Sequence, residues 1–365
     1  MKNKIKIIFL SVISILLSDN IVQSNIYYFT PGPNLVSFDI IPENGNIDNI
    51  FIPVENDLIS IISNGEISYN NEGNWTGSLT NLDSESGYWV IAEQISLLPI
   101  NGERENIPTY YLQEGANLIS YPHTNSQPLD DALPFYMHDK LIGIIGQNSA
   151  ALFINGNVYG SLNTLEPNKG YWFFLSSPTM FTYNTPLENY NTNQNQNIFN
   201  EEVLEYNLSV NQSVFFVENL FINNQQVIEN ANLSIYCNNQ LVGSKSILNE
   251  MTDLIAMGDD GFGFTNNYCT ESDEIEIKIN NEPLHIIGNN QWHNNTFSLI
   301  NLSSHSLGDV NLDNNLNVTD IIMIIDFIIH NNYQLSNQQL LLSDYNTDSN
   351  TNVTDVIRIL DTILD

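Results

Sequence analysis

The end of the chain contains one pattern written twice: "GDVNLDNNLNVTDIIMIIDFII" begins at Gly308 and "SDYNTDSNTNVTDVIRILDTIL" begins at Ser343. In both copies oxygen-bearing side chains recur at alternate positions, and an apolar run follows them. Counted from the first Asp of each copy, they occupy positions 1, 3, 5, 7, 9 and 12: Asp309, Asn311, Asp313, Asn315, Asn317 and Asp320, then Asp344, Asn346, Asp348, Asn350, Asn352 and Asp355.

This spacing is the one that a calcium-binding loop requires. Calcium takes about six to eight oxygen ligands, and a tightly wound loop turns alternate side chains inward while position 7 offers its backbone carbonyl. We therefore predict one calcium ion per loop, and so two calcium ions in all. The sequence predicts a helix after each loop, at residues 319–330 and 354–364, but no helix before the first loop. Each unit is then a loop plus an exiting helix, half of an EF-hand.

A duplicated half EF-hand with Asp at position 12 resembles the type I dockerin, the calcium-dependent module by which secreted bacterial proteins dock onto cohesin modules. The resemblance covers residues 306–365 and implies a small α-helical, dockerin-like calcium-binding domain at 304–365. It also implies a partner, a cohesin-like or other cell-surface protein. In dockerins, positions 10 and 11 recognise the partner, and the matching residues here are Val318, Thr319, Val353 and Thr354.

Position 6 departs from the usual calcium loop, where Gly allows a positive φ. Asn314 occupies it in the first loop and Ser349 in the second. Asn visits the left-handed region at modest cost, whereas Ser pays more. The second loop is therefore predicted to be the more strained of the two.

The N-terminus is typical of an exported protein. Basic residues precede an apolar run at residues 7–17. Val22 and Ser24 are small enough to occupy the -3 and -1 positions of a cleavage site before Asn25, so residues 1–24 are predicted to be a signal peptide. This run is too short to span a bilayer, and no second apolar stretch of spanning length occurs, which predicts a secreted protein without membrane insertion after cleavage. The net charge of -33 argues against nucleic acid as a partner.

The chain contains two cysteines, Cys237 and Cys269. In an exported chain an even pair favours a disulfide over a metal site or a nucleophile.

A second duplication precedes the tail. A shift of 83 residues, without gaps, aligns "YYFTPGPNLVSF" at Tyr27 with "YYLQEGANLISY" at Tyr110, and "GYWV" at Gly87 with "GYWF" at Gly170. We call residues 25–106 the first repeat and 107–187 the second repeat, and residues that this shift aligns are counterparts. Short runs rich in Ile, Val, Tyr and Trp, bounded by Gly, Asn and Pro, predict a small antiparallel β unit for each repeat. Asn64-Gly65 and Asn155-Gly156 are hairpin signals.

The repeats resemble the "NLIS...GYW" modules of secreted multi-domain bacterial surface proteins. Their tryptophans suggest platforms for sugar rings, but Trp89 and Trp172 lie in apolar runs and are predicted to fill the core of their own repeats. Trp75 lies among polar residues and is the better candidate for an exposed ring, although the second repeat has Val158 there.

The polar, Asn-rich residues 188–198 are predicted to be a linker. A third β-rich region, residues 199–303, is predicted to be a β-sandwich. In it, Asp259 and Asp260 are candidates for binding a cation, but an Asp-Gly turn is the favoured interpretation.

The whole chain is thus predicted to be mainly β and multi-domain, with two repeated small antiparallel β units, a β-sandwich and a small α-helical C-terminal domain. The scattered histidines lack zinc spacing, and no nucleophile motif occurs. The favoured function is a secreted, non-catalytic modular protein that docks through its tail. The alternative is an accessory component of polysaccharide breakdown, with glycan-binding β domains or weak glycoside hydrolase activity that uses a pair of carboxylates.

Overall fold

A computed structural model describes residues 23–104, 106–186, 204–229, 231–248, 251–330 and 333–365. The first 22 residues of the predicted signal peptide and the predicted linker at 188–198 lie outside these ranges. Strands dominate the described residues, which confirms the mainly β class. None of the helices in the described ranges is long and apolar enough to cross a membrane.

The first repeat forms two antiparallel sheets and one short helix. Its elements are β1 (Gln23–Phe29), β2 (Gly32–Ser37), β3 (Ile40–Ile41), α1 (Ile47–Ile50), a 3-10 turn (Ile52–Val54), β4 (Leu58–Ser63), β5 (Glu66–Asn71), β6 (Asn74–Gly77), β7 (Gly87–Ala92) and β8 (Ser96–Arg104). The larger sheet has the order β2-β7-β4-β5-β6, and the smaller has the order β1-β8-β3.

The second repeat has the same plan. Its elements are β9 (Tyr110–Leu112), β10 (Gly115–Ser120), β11 (Gln127–Pro128), α2 (Leu129–Ala132), a 3-10 turn (Phe135–Met137), β12 (Leu141–Gly146), β13 (Ser149–Ile154), β14 (Asn157–Gly160), β15 (Thr164–Leu165), β16 (Gly170–Leu175) and β17 (Thr179–Phe181). Its larger sheet has the order β10-β16-β12-β13-β14. Every strand of this sheet begins and ends at the counterparts of the residues that bound the matching strand in the first repeat. The duplication in the sequence is therefore a duplication of the fold.

The two hairpin signals join strands as the sequence predicts. Asn64 and Gly65, at φ 42° and 83°, connect β4 to β5, and Asn155 and Gly156, at φ 51° and 80°, connect β13 to β14. Two successive positive φ values define the turn whose twist matches the flanking strands.

The repeats pack against each other about a pseudo-twofold axis. The backbone amide of Leu35 donates to Gln147 Oε1 at 2.9 Å, and that of its counterpart Leu118 donates to Asn64 Oδ1 at 2.9 Å. Gln147 is likewise the counterpart of Asn64. Exchanging the two repeats therefore turns one of these hydrogen bonds into the other. Two backbone hydrogen bonds between the repeats follow the same rule, from Ser37 to Asn168 and from Ser120 to Glu85.

The Gly of each GYW motif allows this close approach. A Cβ on Gly170 would lie 2.8 Å from the Val36 carbonyl oxygen and 3.1 Å from Gly87 Cα. A Cβ on Gly87 would lie 2.9 Å from the Ile119 carbonyl oxygen. Such distances leave no room for a side chain in either repeat.

The tryptophans correct two predictions. Trp89 is 2 % exposed, but it packs with Leu118 of the second repeat, and Trp172 and Phe264 lie against the same cluster. These rings therefore fill the space between units and not the core of their own repeats, because β7 and β16 bury both faces. Trp75 is half-buried against Phe51, with ring centroids 5.7 Å apart, so it is not the exposed ring expected.

The third region forms one eight-stranded sheet. Its strands are β18 (Gln212–Ile222), β19 (Gln225–Gln226), β20 (Asn232–Cys237), β21 (Gln240–Ser246), β22 (Thr252–Met257), β23 (Glu276–Ile279), β24 (Glu282–Gly288) and β25 (Phe297–Ser303). The order is β19-β18-β25-β24-β23-β20-β21, with β22 also paired to β18. Only the β18–β25 pair is parallel among the described strands of this sheet. The predicted disulfide between Cys237 and Cys269 is confirmed, with Cα atoms 5.4 Å apart.

The side chains of Asp259 and Asp260 have a local structural role in the third region. Asp260 Oδ1 accepts from Phe262 N at 3.1 Å and from Thr265 Oγ1 at 2.8 Å, and Asp259 Oδ1 accepts from Gly261 N at 3.0 Å. These bonds form the turn that the sequence favoured over a cation site.

Three helices form the tail: α3 (Val318–Ile329), α4 (Asn337–Ser343) and α5 (Val353–Leu364). The outer two follow the predicted loops and pack together around Ile324 and Ile359. On α5 it is Ile359 that is buried in this contact, whereas its neighbour Leu360 is 40 % exposed.

Candidate metal centre

Each predicted loop is wound around the carboxylate at position 1. That carboxylate, Asp309 or Asp344, accepts from the backbone amides of positions 5 and 6. The N···O distances are 3.0 and 2.9 Å in the first loop and 3.1 and 2.7 Å in the second. The loop therefore closes on itself within its first half.

The carboxylate at position 12 fastens the second half of each loop to its helix. Asp320 or Asp355 accepts from the amides of positions 3 and 9, at 3.0 and 2.9 Å in the first loop and 3.0 and 2.8 Å in the second. Position 9, Asn317 or Asn352, is also the N-cap of α3 or α5, and the position-12 Asp completes a capping box with it. One carboxylate thus sets both the loop and the start of the helix.

Two residues of each loop take a positive φ. Position 6 does so at Asn314, φ 65°, and at Ser349, φ 69°, which is the conformation that the usual Gly provides. Position 4 does the same at Leu312, φ 63°, and at Thr347, φ 58°. A β-branched residue in this region is strained, so the second loop carries two unfavourable residues.

The amide side chains of the loops pair with their neighbours. The position-3 Asn donates to the carboxylate of position 5 at 2.9 Å in the first loop and 3.0 Å in the second. The position-9 Asn donates to the carbonyl of position 7 at 3.0 Å in both. All six sequence-predicted positions of a loop therefore belong to one local hydrogen-bonded network.

Burial and charge distinguish these loops from ordinary turns. Asp309, Asp320 and Asp355 are fully buried, and Asp344 is half-buried. Among the described residues, no Lys, Arg or His lies within 4.0 Å of any of the four carboxylates. A buried carboxylate is costly unless a positive charge or strong hydrogen bonds compensate it.

The donor set suits a hard cation. Each loop offers carboxylate, amide and backbone oxygens and contains neither His nor Cys, which fits calcium and not zinc. Within the described ranges, no three His, Cys, Asp or Glu side chains form a metal-holding group, so non-carboxylate oxygens would have to complete the coordination.

The four predicted partner-binding residues lie on the surface. Val318 is 55 % exposed and Val353 60 %, and Thr319 and Thr354 are exposed beside them. Further apolar residues continue from each valine along its helix at intervals of four, seven and eleven positions. We call these two rows the apolar stripes: Val318, Ile322, Ile325 and Ile329 on α3, and Val353, Ile357, Leu360 and Leu364 on α5. Ile325 is half-buried, and the others are exposed.

The structure also shows an anchor that the sequence analysis missed. Gln338, on α4, is fully buried, donates to Ser303 Oγ at 2.9 Å and accepts from Asn224 N at 2.5 Å. It thereby fastens the tail to the third region. A signal for the helix itself was present, since Ser336 and Gln339 form an S-x-x-Q capping box before a run of leucines.

No family model, no curated protein and no solved structure matches this chain. The likeness of the tail to dockerins therefore rests on its duplicated loops and their exiting helices.

Proposed function

We propose that the chain is a secreted, non-catalytic modular protein whose tail binds two calcium ions and docks onto a cohesin-like or other cell-surface protein. The observation that carries this proposal is the pair of loops, at Asp309 and Asp344, which share one hydrogen-bond pattern around buried carboxylates. Each loop opens directly into a helix with an apolar stripe. A metal-folded unit and a repeated surface are thus combined in about 60 residues, a size at which a structural metal commonly supplements a small core.

Calcium supplies what the loops lack. The three Asp residues of each loop repel one another, and no cationic side chain offsets them among the described residues. A bound divalent cation would compensate the buried carboxylates, so its binding free energy would also stabilise the fold of the tail.

The stripes supply the docking surface. Because they recur on both helices with the same offset as the loops, the surface has two near-equivalent halves that a partner can engage in either orientation. A partner that covers such a surface gains about 25 cal/mol per Å² of apolar area removed from water. The same exposed residues would otherwise be a liability for solubility.

The test is capture of proteins from the native secretome by the full chain, with calcium or with chelator. Thr319→Asp and Thr354→Asp each place a charge beside one stripe, near a helix N-terminus where a carboxylate is tolerated. We expect each single variant to retain capture and the double variant to lose it, since the partner can then use neither half. Thr76→Asp, at an exposed threonine of the first repeat, is the control.

Chelator should abolish capture by the wild type. Equal capture by the double variant and the wild type, or capture that chelator does not change, would contradict the docking role.

A further inference from the structure

A groove crosses the surface of the second repeat between α2 with its following 3-10 turn and the β13–β14 hairpin. Its cavity is about 730 Å³, and its walls include Asp130, Asp131, Phe135, His138, Asn157 and Tyr159. Neither the tail nor the interface between the repeats contributes to this lining. The groove is therefore separate from the site proposed above.

The first repeat explains why the groove is open. Val158 faces Phe153 in the β13–β14 pair, and its counterpart Trp75 faces Asn70 in the β5–β6 pair. In the first repeat the indole of Trp75 packs on Phe51. An isopropyl group in place of an indole leaves space at that position of the second repeat.

Phe135 places an aromatic face in this space. Its side chain is 83 % exposed, although a ring of this size normally removes much of its surface from water. One face is supported by His138, with ring centroids 5.9 Å apart and planes at 26°, and His138 in turn meets Phe153 at 5.4 Å. The other face of Phe135 is open. The counterpart of Phe135 in the first repeat is Ile52, which cannot stack.

Polar groups surround the open ring. The side chains of Asp130 and Asp131 are exposed and make no hydrogen bond or ion pair to another described residue. His138 Nε2 is buried, and the described residues give it no hydrogen-bond partner. Asn184 donates to the Asp131 carbonyl at 2.9 Å, which holds the α2 wall in place. The carboxylates and the Asn157 amide next to a flat apolar face match a ligand that is apolar on one side and rich in hydroxyls around its rim.

We propose that this groove binds a neutral oligosaccharide, with one sugar ring stacked on Phe135 and its hydroxyls donating to Asp130 and Asp131. The two carboxylates and the charge of -33 disfavour an anionic glycan. A quaternary ammonium ligand would be favoured by aromatic faces that enclose it, but one face of Phe135 is occupied by His138.

The test is affinity electrophoresis of the full chain through gels that contain β-glucan, xylan or galactomannan, with calorimetric titration of the matching hexasaccharides. We expect at least one of these glycans to retard the wild type. Phe135→Ala removes the stacking ring and Val158→Trp fills the groove as Trp75 does in the first repeat. Each should weaken binding about tenfold, the effect of losing one good stacking contact. Ile52→Ala, at the matched position of the first repeat, should leave binding unchanged.

Three results would overturn the proposal. The first is that none of these glycans retards the wild type. The second is that folded Phe135→Ala and Val158→Trp bind as tightly as wild type, with thermal unfolding as the check on folding. The third is that tetramethylammonium binds at Phe135 while the hexasaccharides do not. Chelator should not alter glycan binding, so this outcome and that of the docking test are independent.

Discussion

The two duplications of this chain treat their repeated apolar surfaces in opposite ways. In the pair of β repeats, the repeated faces meet each other around Gly87 and Gly170, and Trp89 is 2 % exposed between them. In the pair of loop-helix units, the helices pack around Ile324 and Ile359, and every residue of the apolar stripes except the half-buried Ile325 is exposed. The repeated surface of the β repeats is buried within the chain, whereas that of the two tail helices is mostly exposed. Repetition of a surface therefore does not itself indicate docking, because a repeated surface can be buried within the chain.

The largest effect is expected at the interface between the repeats. Gly170→Ala would place a methyl group 2.8 Å from the Val36 carbonyl oxygen, and the backbone there cannot yield. We expect a loss of about 2 to 3 kcal/mol in stability of the repeats, measured by chemical denaturation. Gly146→Ala is the control, because the atoms nearest to its methyl group would be side-chain atoms of Ser149 and Tyr171, at 3.1 and 3.3 Å. Equal stability of both variants would show that the repeats do not depend on close contact.

A smaller effect should distinguish the two loops of the tail. Ser349 at φ 69° is expected to cost about 1 kcal/mol, so Ser349→Gly should tighten the weaker calcium site about fivefold. Asn314→Gly is the matched change in the first loop and should gain less, because Asn tolerates this conformation better. Calorimetric titration with calcium measures both. Equal gains from the two changes would mean that position 6 does not set the difference.

The smallest effect is expected at Asp253, a residue of the third region that accepts hydrogen bonds from the second repeat. Asp253, from β22, accepts from Ala150 N at 2.9 Å and Ser161 N at 2.8 Å, and lies 3.6 Å from Lys245 Nζ. At the matched place in the first repeat, Ile67 N donates to Ser78 Oγ at 3.2 Å. Among the described residues, the third region thus places a carboxylate on these amides in the second repeat, whereas the first repeat uses its own Ser78.

Burial raises the pKa of Asp253, and Lys245 and Ser161 oppose that shift only in part. Because the folded-state pKa is the higher, the contribution of Asp253 to stability is complete below its unfolded-state value of 3.8 and is lost as pH rises through the folded-state pKa. We expect the stability of wild type relative to Asp253→Asn to fall as the pH rises above the unfolded-state value of 3.8 in denaturation series. Asp139→Asn, at an exposed carboxylate, is the control. A difference that stays constant with pH would contradict this assignment.

The sequence predicted some of these features because they are local. The loop spacing, the exiting helices and both hairpins depend on residues a few positions apart, and the disulfide had only one possible pairing. The interface between the repeats depends on which face of β7 meets β16, and a strand that is apolar on both faces does not reveal this. Gln338 illustrates the same limit, since nothing in its neighbours indicates that Asn224 and Ser303 will surround it.

The groove of the second repeat was hidden for a related reason. Val158 was visible as a difference from Trp75, but its consequence depends on Phe51 and Phe135 being near those positions in the fold. A substitution between repeats becomes informative only when the structure shows what the larger side chain was filling.

The most direct test of the central claim is calorimetric titration of the full chain with calcium. The account predicts two unequal sites in the wild type, one site in Asp320→Asn or Asp355→Asn, and none in the double variant, because each change removes a charge from position 12 of one loop. Helical circular dichroism should fall when chelator is added to the wild type. Absence of calcium binding by the wild type, or two sites that persist in the double variant, would contradict the account.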